Sequence, residues 1–202
     1  MKRLRFLAAA ALLVATVALP ASAAGRAGPH VVDDELSFSL HDLQGKVVGS
    51  DDERFRGKVV FVDIFGTWCT PCLREVPTLK DLHAKYSEGG LVIVAIAFEH
   101  GDDPGERRNF LRWFTESNGI AYLVLDGGSL GTFSKALPGI RNVKGFPIEV
   151  FIDRDGRVVD TRNGYGDTGR WSRELEGKLV EMLAKPATAK ETAAAAGSQA
   201  AD

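Results

Sequence analysis

Two apolar runs flanking one amphipathic helix pattern constrain this chain more than any other feature. Lys58-Val59-Val60-Phe61-Val62-Asp63-Ile64-Phe65 and Leu91-Val92-Ile93-Val94-Ala95-Ile96-Ala97-Phe98 are rich in β-branched and aromatic residues, and a single acid interrupts the first. Such runs read as strands buried on both faces, the habit of parallel sheets covered by helices. Between them, from Thr70 to Tyr86, the apolar residues Leu73, Val76, Leu79, Leu82 and Tyr86 recur at three- and four-residue steps, and Gly89-Gly90 follows. That is the period of a helix with one buried stripe and a glycine stop.

The remainder extends the pattern. Pro104 suits the first turn of a second helix, with Phe110, Leu111, Trp113 and Phe114 as its apolar face and Asn118-Gly119 as its end. Ala121–Leu125 reads as a short third strand and Leu130–Leu137 as a short helix. Ile148–Asp153 and Gly156–Asp160 form a hairpin pattern turning at Arg154-Asp155-Gly156, and Trp171–Leu183 is a closing amphipathic helix. The order β-α-β-α-β, then β-β-α, implies an α/β fold: a central mixed sheet, parallel at first with an antiparallel edge, and helices on both faces.

The two ends read differently. In residues 1–23, Lys2, Arg3 and Arg5 precede an apolar run from Phe6 to Leu19, and Ala21-Ser22-Ala23 offers a small-x-small cleavage pattern. This is the layout of a secretory signal peptide, and the run is short against the roughly 20 residues that span a bilayer as an anchor. Export places the chain in an oxidising compartment, with the periplasm as the expected location. Residues 24–35 are expected to be a linker and 36–185 the folded domain. From Pro186 to Asp202, eight of seventeen residues are alanine and none is aromatic or a large aliphatic, so a mobile tail is expected. A formal charge of −2 over 202 residues, without a basic block, gives no footprint for nucleic acid.

The only two cysteines stand at Cys69-Thr70-Pro71-Cys72, where the first buried strand hands over to the first helix. Residues three apart on a first helical turn project to one side, so the sulfurs can bond with little backbone movement. The helix N-terminus offers unpaired N–H groups and a positive dipole end, which favour a thiolate. Pro71 has no N–H to leave unsatisfied there. Cys69, nearer the loop, is expected to be the exposed nucleophile and Cys72 the resolving thiol. Structural zinc needs four protein ligands, and there is neither a second CxxC nor a paired spacing among His30, His41, His83 and His100. A purely stabilising disulfide would close a loop too small to restrict the unfolded chain much. Asp153-x-Asp155-Gly156 reads as a hairpin turn rather than a calcium loop, and Gly127-Gly128-x-x-Gly131 lacks the ending of a phosphate loop. A redox dithiol needing no cofactor or metal is the reading that remains.

Trp68-Cys69-Thr70-Pro71-Cys72 resembles the active-site motif of the thioredoxin superfamily, with Thr70 where thioredoxin carries glycine. Asp63 stands where that family has its buried acid, Pro77 where its active-site helix carries a proline, and Val143-x-Gly145-Phe146-Pro147 where it has its cis-proline loop. The signal peptide and Phe151-Ile152-Asp153-x-Asp155-Gly156-x-Val158 resemble the exported TlpA/ResA-like thiol:disulfide oxidoreductases. The resemblance spans roughly residues 36–183 and implies a thioredoxin-like fold and a Cys69/Cys72 redox pair. Asp63, a lone carboxyl in a buried strand, is expected to titrate high and to take the proton of Cys72. The resemblance also implies that Pro147 follows a cis bond and turns backbone toward the sulfurs. Trp68 is expected to shield Cys69, and Glu99 to lie near the site. Phe146, bulkier than its counterparts, either roofs the dithiol or packs into the core.

Asp63 and the resemblance imply reduction of disulfides in exported proteins, including apocytochromes c awaiting haem, and the resemblance implies recharging by a membrane electron donor of the dithiol-transporter type; the oxidising compartment by itself suits an oxidase or an isomerase equally. Two rivals stand beside it. A thiol peroxidase on the same fold would want a threonine and proline shortly before a lone peroxidatic cysteine, and only Thr67 precedes Cys69. A non-catalytic copper- or client-binding module would use CxxxC with a distant histidine, and the spacing here is one residue short.

Overall fold

The computed structural model of the protein describes residues 31–163 and 168–186. The expected signal peptide (1–23) and all of the expected tail except Pro186 lie outside the described residues. In chain order the strands are β1 (Val31–Val32), β2 (Ser39–Asp42), β3 (Val47–Gly49), β4 (Val59–Phe65), β5 (Leu91–Glu99), β6 (Leu123–Ser129), β7 (Ile140–Arg141), β8 (Ile148–Ile152) and β9 (Val158–Asn163). The helices are α1 (Thr70–Tyr86), α2 (Pro104–Ser117), the four-residue α3 (Phe133–Ala136) and α4 (Thr168–Leu183).

A seven-stranded sheet runs in the order β3-β2-β6-β5-β4-β8-β9. Its centre is parallel, β4 with β5 and β5 with β6, and every other pairing is antiparallel. The mixed α/β architecture follows the sequence pattern, because β4 and β5 are continuously apolar and need cover on both sides. Alternation along the strands divides the core in two. Phe61 and Phe65 of β4, Ile93 and Ala95 of β5, and Phe151 of β8 join one cluster with apolar residues of α1, α2 and α4. Val62 and Ile64, Val94 and Ile96, and Ile148 and Val150 face the other way, where Leu36, Phe38, Leu40, Leu137 and Ile140 cover them. The three long helices therefore share one face, and α3 with the N-terminal segment closes the other.

The structure differs from the sequence reading in several places. Val31 and Val32, inside the expected linker, pair antiparallel with Ile140 and Arg141. The β2–β3 hairpin has no strong apolar run and escapes the pattern. The third strand begins at Leu123 rather than Ala121 and continues through Asp126-Gly127-Gly128, which resembles a turn in sequence. It continues because Asp126 is neutralised by the buried Arg107 guanidinium, at 2.9 and 3.3 Å, and because Gly127 lies under the Phe98 ring, where an added Cβ would sit 2.8 Å from ring carbons. On α2, Leu111 and Phe114 are buried, whereas Phe110 and Trp113 are 43% and 60% exposed and stack on each other instead of entering the core. Leu73 likewise points outward, since the buried stripe of α1 runs through Cys72, Glu75, Val76, Leu79 and Leu82.

Candidate active site

Helix α1 starts at the C-terminal end of β4, and Cys69 is its N-cap, in extended backbone conformation. Its sulfur accepts a hydrogen bond from the Cys72 backbone N–H at 3.3 Å, and the two cysteines form a disulfide with Cα atoms 5.3 Å apart. Thr70 and Pro71 occupy the first turn and are exposed. Cys69 was expected to be exposed, but only 6% of it is, against 1% of Cys72. Its side chain folds back over the first turn as the cap, which withdraws the sulfur from solvent while keeping it the outer of the pair.

The approach loop is held from several sides. Glu99, at the end of β5, accepts from the Thr67 N–H at 2.7 Å and from the Thr67 hydroxyl at 2.9 Å. Both carboxylate oxygens are engaged on the loop, so Glu99 lies beside the site as an anchor of the segment before Cys69. The Trp68 indole N–H donates to the Phe98 carbonyl at 2.9 Å. Gly66 makes this possible: a Cβ there would overlap the indole and come within 2.8 Å of the same carbonyl. Trp68 is 40% exposed, so it walls the site rather than covering it. An open groove runs past it, lined also by Glu99, His100, Asp103 and Phe110.

Phe146 packs edge-on against Trp68 at 5.5 Å and against Phe133 at 5.9 Å between ring centroids. Partly buried, it packs against both core clusters, including the one that contains the cysteines. The Phe146–Pro147 peptide bond is cis.

Behind the disulfide lies a buried acidic cluster. Asp63 occupies the position on β4 whose side chain points to the α1 face, between Phe61 and Phe65. Burial, and secondarily Glu149, raise its carboxyl well above the usual range, and its Oδ1 has no hydrogen-bond partner. Two further members were missed in the sequence. Glu75, three residues after Cys72 on the buried stripe of α1, has neither oxygen paired. Burial first, then Asp63 and Glu149, hold its proton far above the ordinary carboxylate range. Glu149 faces Asp63 directly across the β4–β8 ladder. Its Oε1 accepts from the Trp171 indole N–H at 2.6 Å, and burial pushes its pKa up to about 7. Tyr122 borders this cluster, its hydroxyl shifted upward by burial and by Asp63 and Glu75. The signal for both glutamates was present in the sequence: each is an acid inside an apolar stripe, at helical period for Glu75 and inside an apolar strand run for Glu149.

The arrangement suits reversible disulfide chemistry. A helix N-terminus stabilises a thiolate at Cys69, and carboxyls in a dry cluster can take or return a proton one helical turn behind Cys72.

Comparison with known proteins agrees with this chemistry. Residues 23–179 match the family model described as Redoxin. The thiol-disulfide oxidoreductase ResA of Bacillus thuringiensis (strain Al Hakam) is 33% identical over 147 residues, covering 72% of this chain and 75% of the relative. The crystal structure assigned as a thiol:disulfide interchange protein DsbE from Chlorobium tepidum superposes with a TM-score of 0.60 at 26% identity, covering 75% of this chain and 96% of that one. A thioredoxin-like protein from Porphyromonas gingivalis gives a TM-score of 0.55 at 28% identity, over 72% and 89% of the two chains. With more than half of its length matched by the family model, and a CxxC disulfide capping α1 of a thioredoxin-like sheet, this chain belongs to the Redoxin family and is a thioredoxin-like thiol:disulfide oxidoreductase.

Proposed function

We propose that the protein acts outside the cytoplasm as a dithiol reductase of disulfides in exported proteins. The observation that carries this reading is the Cys69–Cys72 pair at the head of α1 with the unpaired acids Asp63 and Glu75 buried behind it. A reductase must deprotonate its second thiol inside the mixed disulfide, away from bulk water, and these acids are the groups at hand for that step. The leader pattern of residues 1–23 supports export.

In the reduced protein, the Cys69 thiolate attacks one sulfur of the substrate disulfide, forming a Cys69–substrate bond and releasing the other substrate sulfur as a thiolate. Cys72 then passes its proton to the Asp63 carboxylate, which accepts it only after releasing the proton that burial holds there, so this step quickens as pH rises. The Cys72 thiolate attacks the Cys69 sulfur, so that the Cys69–Cys72 bond forms and the second substrate thiolate leaves. The substrate gains two electrons and its thiolates take up two protons, while the protein is oxidised to the disulfide described above. A membrane dithiol donor of the transporter type restores the reduced state, and apocytochromes c with paired thiols are one class of client. Thr70 and Pro71 shape the first turn, Trp68 and Phe146 wall the sulfurs, Glu99 holds the loop, and the Pro147 loop offers backbone to the substrate.

Reduction potential and step-resolved kinetics test the reading. A potential in the range of about −200 to −270 mV supports a reductase, and one near −120 mV identifies an oxidant. Cys69→Ser is expected to abolish turnover of insulin disulfides, whereas a non-catalytic binding module would be indifferent to it. Asp63→Asn is expected to slow resolution of the mixed disulfide by roughly tenfold or more and to spare the first attack; equal slowing of both steps would refute its role.

A further inference from the structure

Of the three acids in the cluster behind the disulfide, Glu149 takes no part in the proton transfer just described. Glu149 is wholly buried on β8, and its side chain lies on the sheet face shared by Asp63, Phe151 and the covering helices α1 and α4. It does not follow Cys72 along α1 as Glu75 does, and it is displaced from the loop of Pro147 by Ile148. Three features set it apart. It is in direct register with Asp63. Its Oε1 is clamped by the Trp171 indole at 2.6 Å, while Oε2 has no hydrogen-bond partner. Its neighbour on the outer strand β9 is Arg162, in register with it and cationic.

The groups around it come from every packed element. Asp63 faces it from β4, Glu75 from α1, and Arg162 and Asp160 from β9, with Asp160 paired to Lys178 of α4 at 3.1 Å. Tyr122 lies close enough to feel the charges of Asp63 and Glu75, and His83 of α1 meets the Tyr122 ring edge-on at 6.2 Å. Of the three acids, only Glu149 combines a hydrogen-bond donor to its carboxylate with an adjacent cation. Three anions cannot coexist in one dry cluster, so the one with a donor and a counter-charge is the one that ionises first.

We propose that Glu149 is a positioning residue for the proton transfer: held by Trp171 and set opposite Asp63, it takes the first negative charge of the cluster and so governs when Asp63 and Glu75 release the protons they hold. It touches neither sulfur. Burial already holds the protons of the inner pair, and the Glu149 charge strengthens that hold, which confines rapid Cys72 deprotonation to higher pH. Carboxyls facing each other across a ladder, with Cβ atoms roughly 5 Å apart, couple by on the order of one to two pH units at an effective dielectric of about 20.

This proposal rests on the dithiol reading, and one experiment separates the two. Reduced protein is mixed with oxidised glutathione, samples are quenched with acid and alkylated, and the resolution rate is followed from about pH 5 to pH 9. Glu149→Gln keeps an acceptor for Trp171 but removes the charge, and is expected to move the acid limb of the rate to lower pH by roughly one to two units. Trp171→Phe leaves Glu149 in place without its donor, and is expected to move the limb the same way by less. It also serves if the glutamine variant does not fold. Carbon-13 NMR of the carboxyl groups should show Asp63 titrating lower in both variants. A wild type that resolves normally while both variants show an unmoved or upward-moved limb overturns the role of Glu149 alone. A wild type without turnover, or a Cys69→Ser variant that retains it, overturns the underlying reading instead.

Discussion

Glu75 gives the acidic cluster a consequence that can be measured without any substrate. In the unfolded chain its carboxyl titrates near the ordinary glutamate value of 4.5, and in the folded protein burial holds its proton far higher. Above about pH 4.5, the folded state therefore keeps a proton that the unfolded state has released. Stability contributed by such a group is complete below the unfolded value and declines as pH rises towards the folded one. Each such group costs about 1.4 kcal/mol per pH unit across that window. Glu75→Gln removes one proton from the difference. Between about pH 5.5 and 7 its stability should fall less steeply than that of the wild type, by about 2 kcal/mol in total. With a urea m-value of about 2 kcal/mol/M, the two midpoints should converge or cross over that interval by about 1 M. The buried amide carries its own cost of about 1–3 kcal/mol for unmet hydrogen bonds, but that cost does not depend on pH. The slope is therefore the diagnostic, read from urea unfolding of both oxidised proteins at several pH values. Parallel pH profiles would refute the claim that Glu75 is buried with its proton.

Two perturbations test the scaffold around the site. Gly66→Ala should drive the Trp68 indole off the Phe98 carbonyl, changing tryptophan fluorescence and costing about 1–3 kcal/mol, with unaltered emission counting against the close packing described here. Arg107→Ala leaves the buried Asp126 with Arg108 at 3.6 Å and the Gly128 N–H at 3.0 Å as its remaining partners, and should cost up to about 3 kcal/mol at neutral pH, measured as a fall in Tm. Much of that loss should be recovered by Asp126→Asn in the same chain.

Some elements were legible because their signals are local. The period of α1, the capping position of Cys69 and the continuous apolarity of β4 and β5 need only neighbouring residues to be read, and the structure places these elements within a residue of the pattern. The cis loop at Pro147 and the buried acid Asp63 were reached through the family resemblance. By contrast, the apolar residues of α2 were assigned to one face, because a count of hydrophobics does not say which of two adjacent stripes meets the sheet. Phe110 and Trp113 face outward because Arg107, Leu111 and Phe114 already occupy the inward stripe, with Arg107 neutralised by Asp126 from β6.

The chain alone determined the parallel core, the strand-to-helix placement of the two cysteines and the chemistry available to them, since each depends on spacing along a few turns or residues. Only the tertiary structure decided that Asp63, Glu75 and Glu149 share one dry cluster, and that Trp171 clamps its third member. These acids come from β4, α1 and β8, separated by up to 86 residues of sequence. Their meeting depends on strand register and on which helix face is buried, and both are set by the packing of the whole sheet rather than by any local signal.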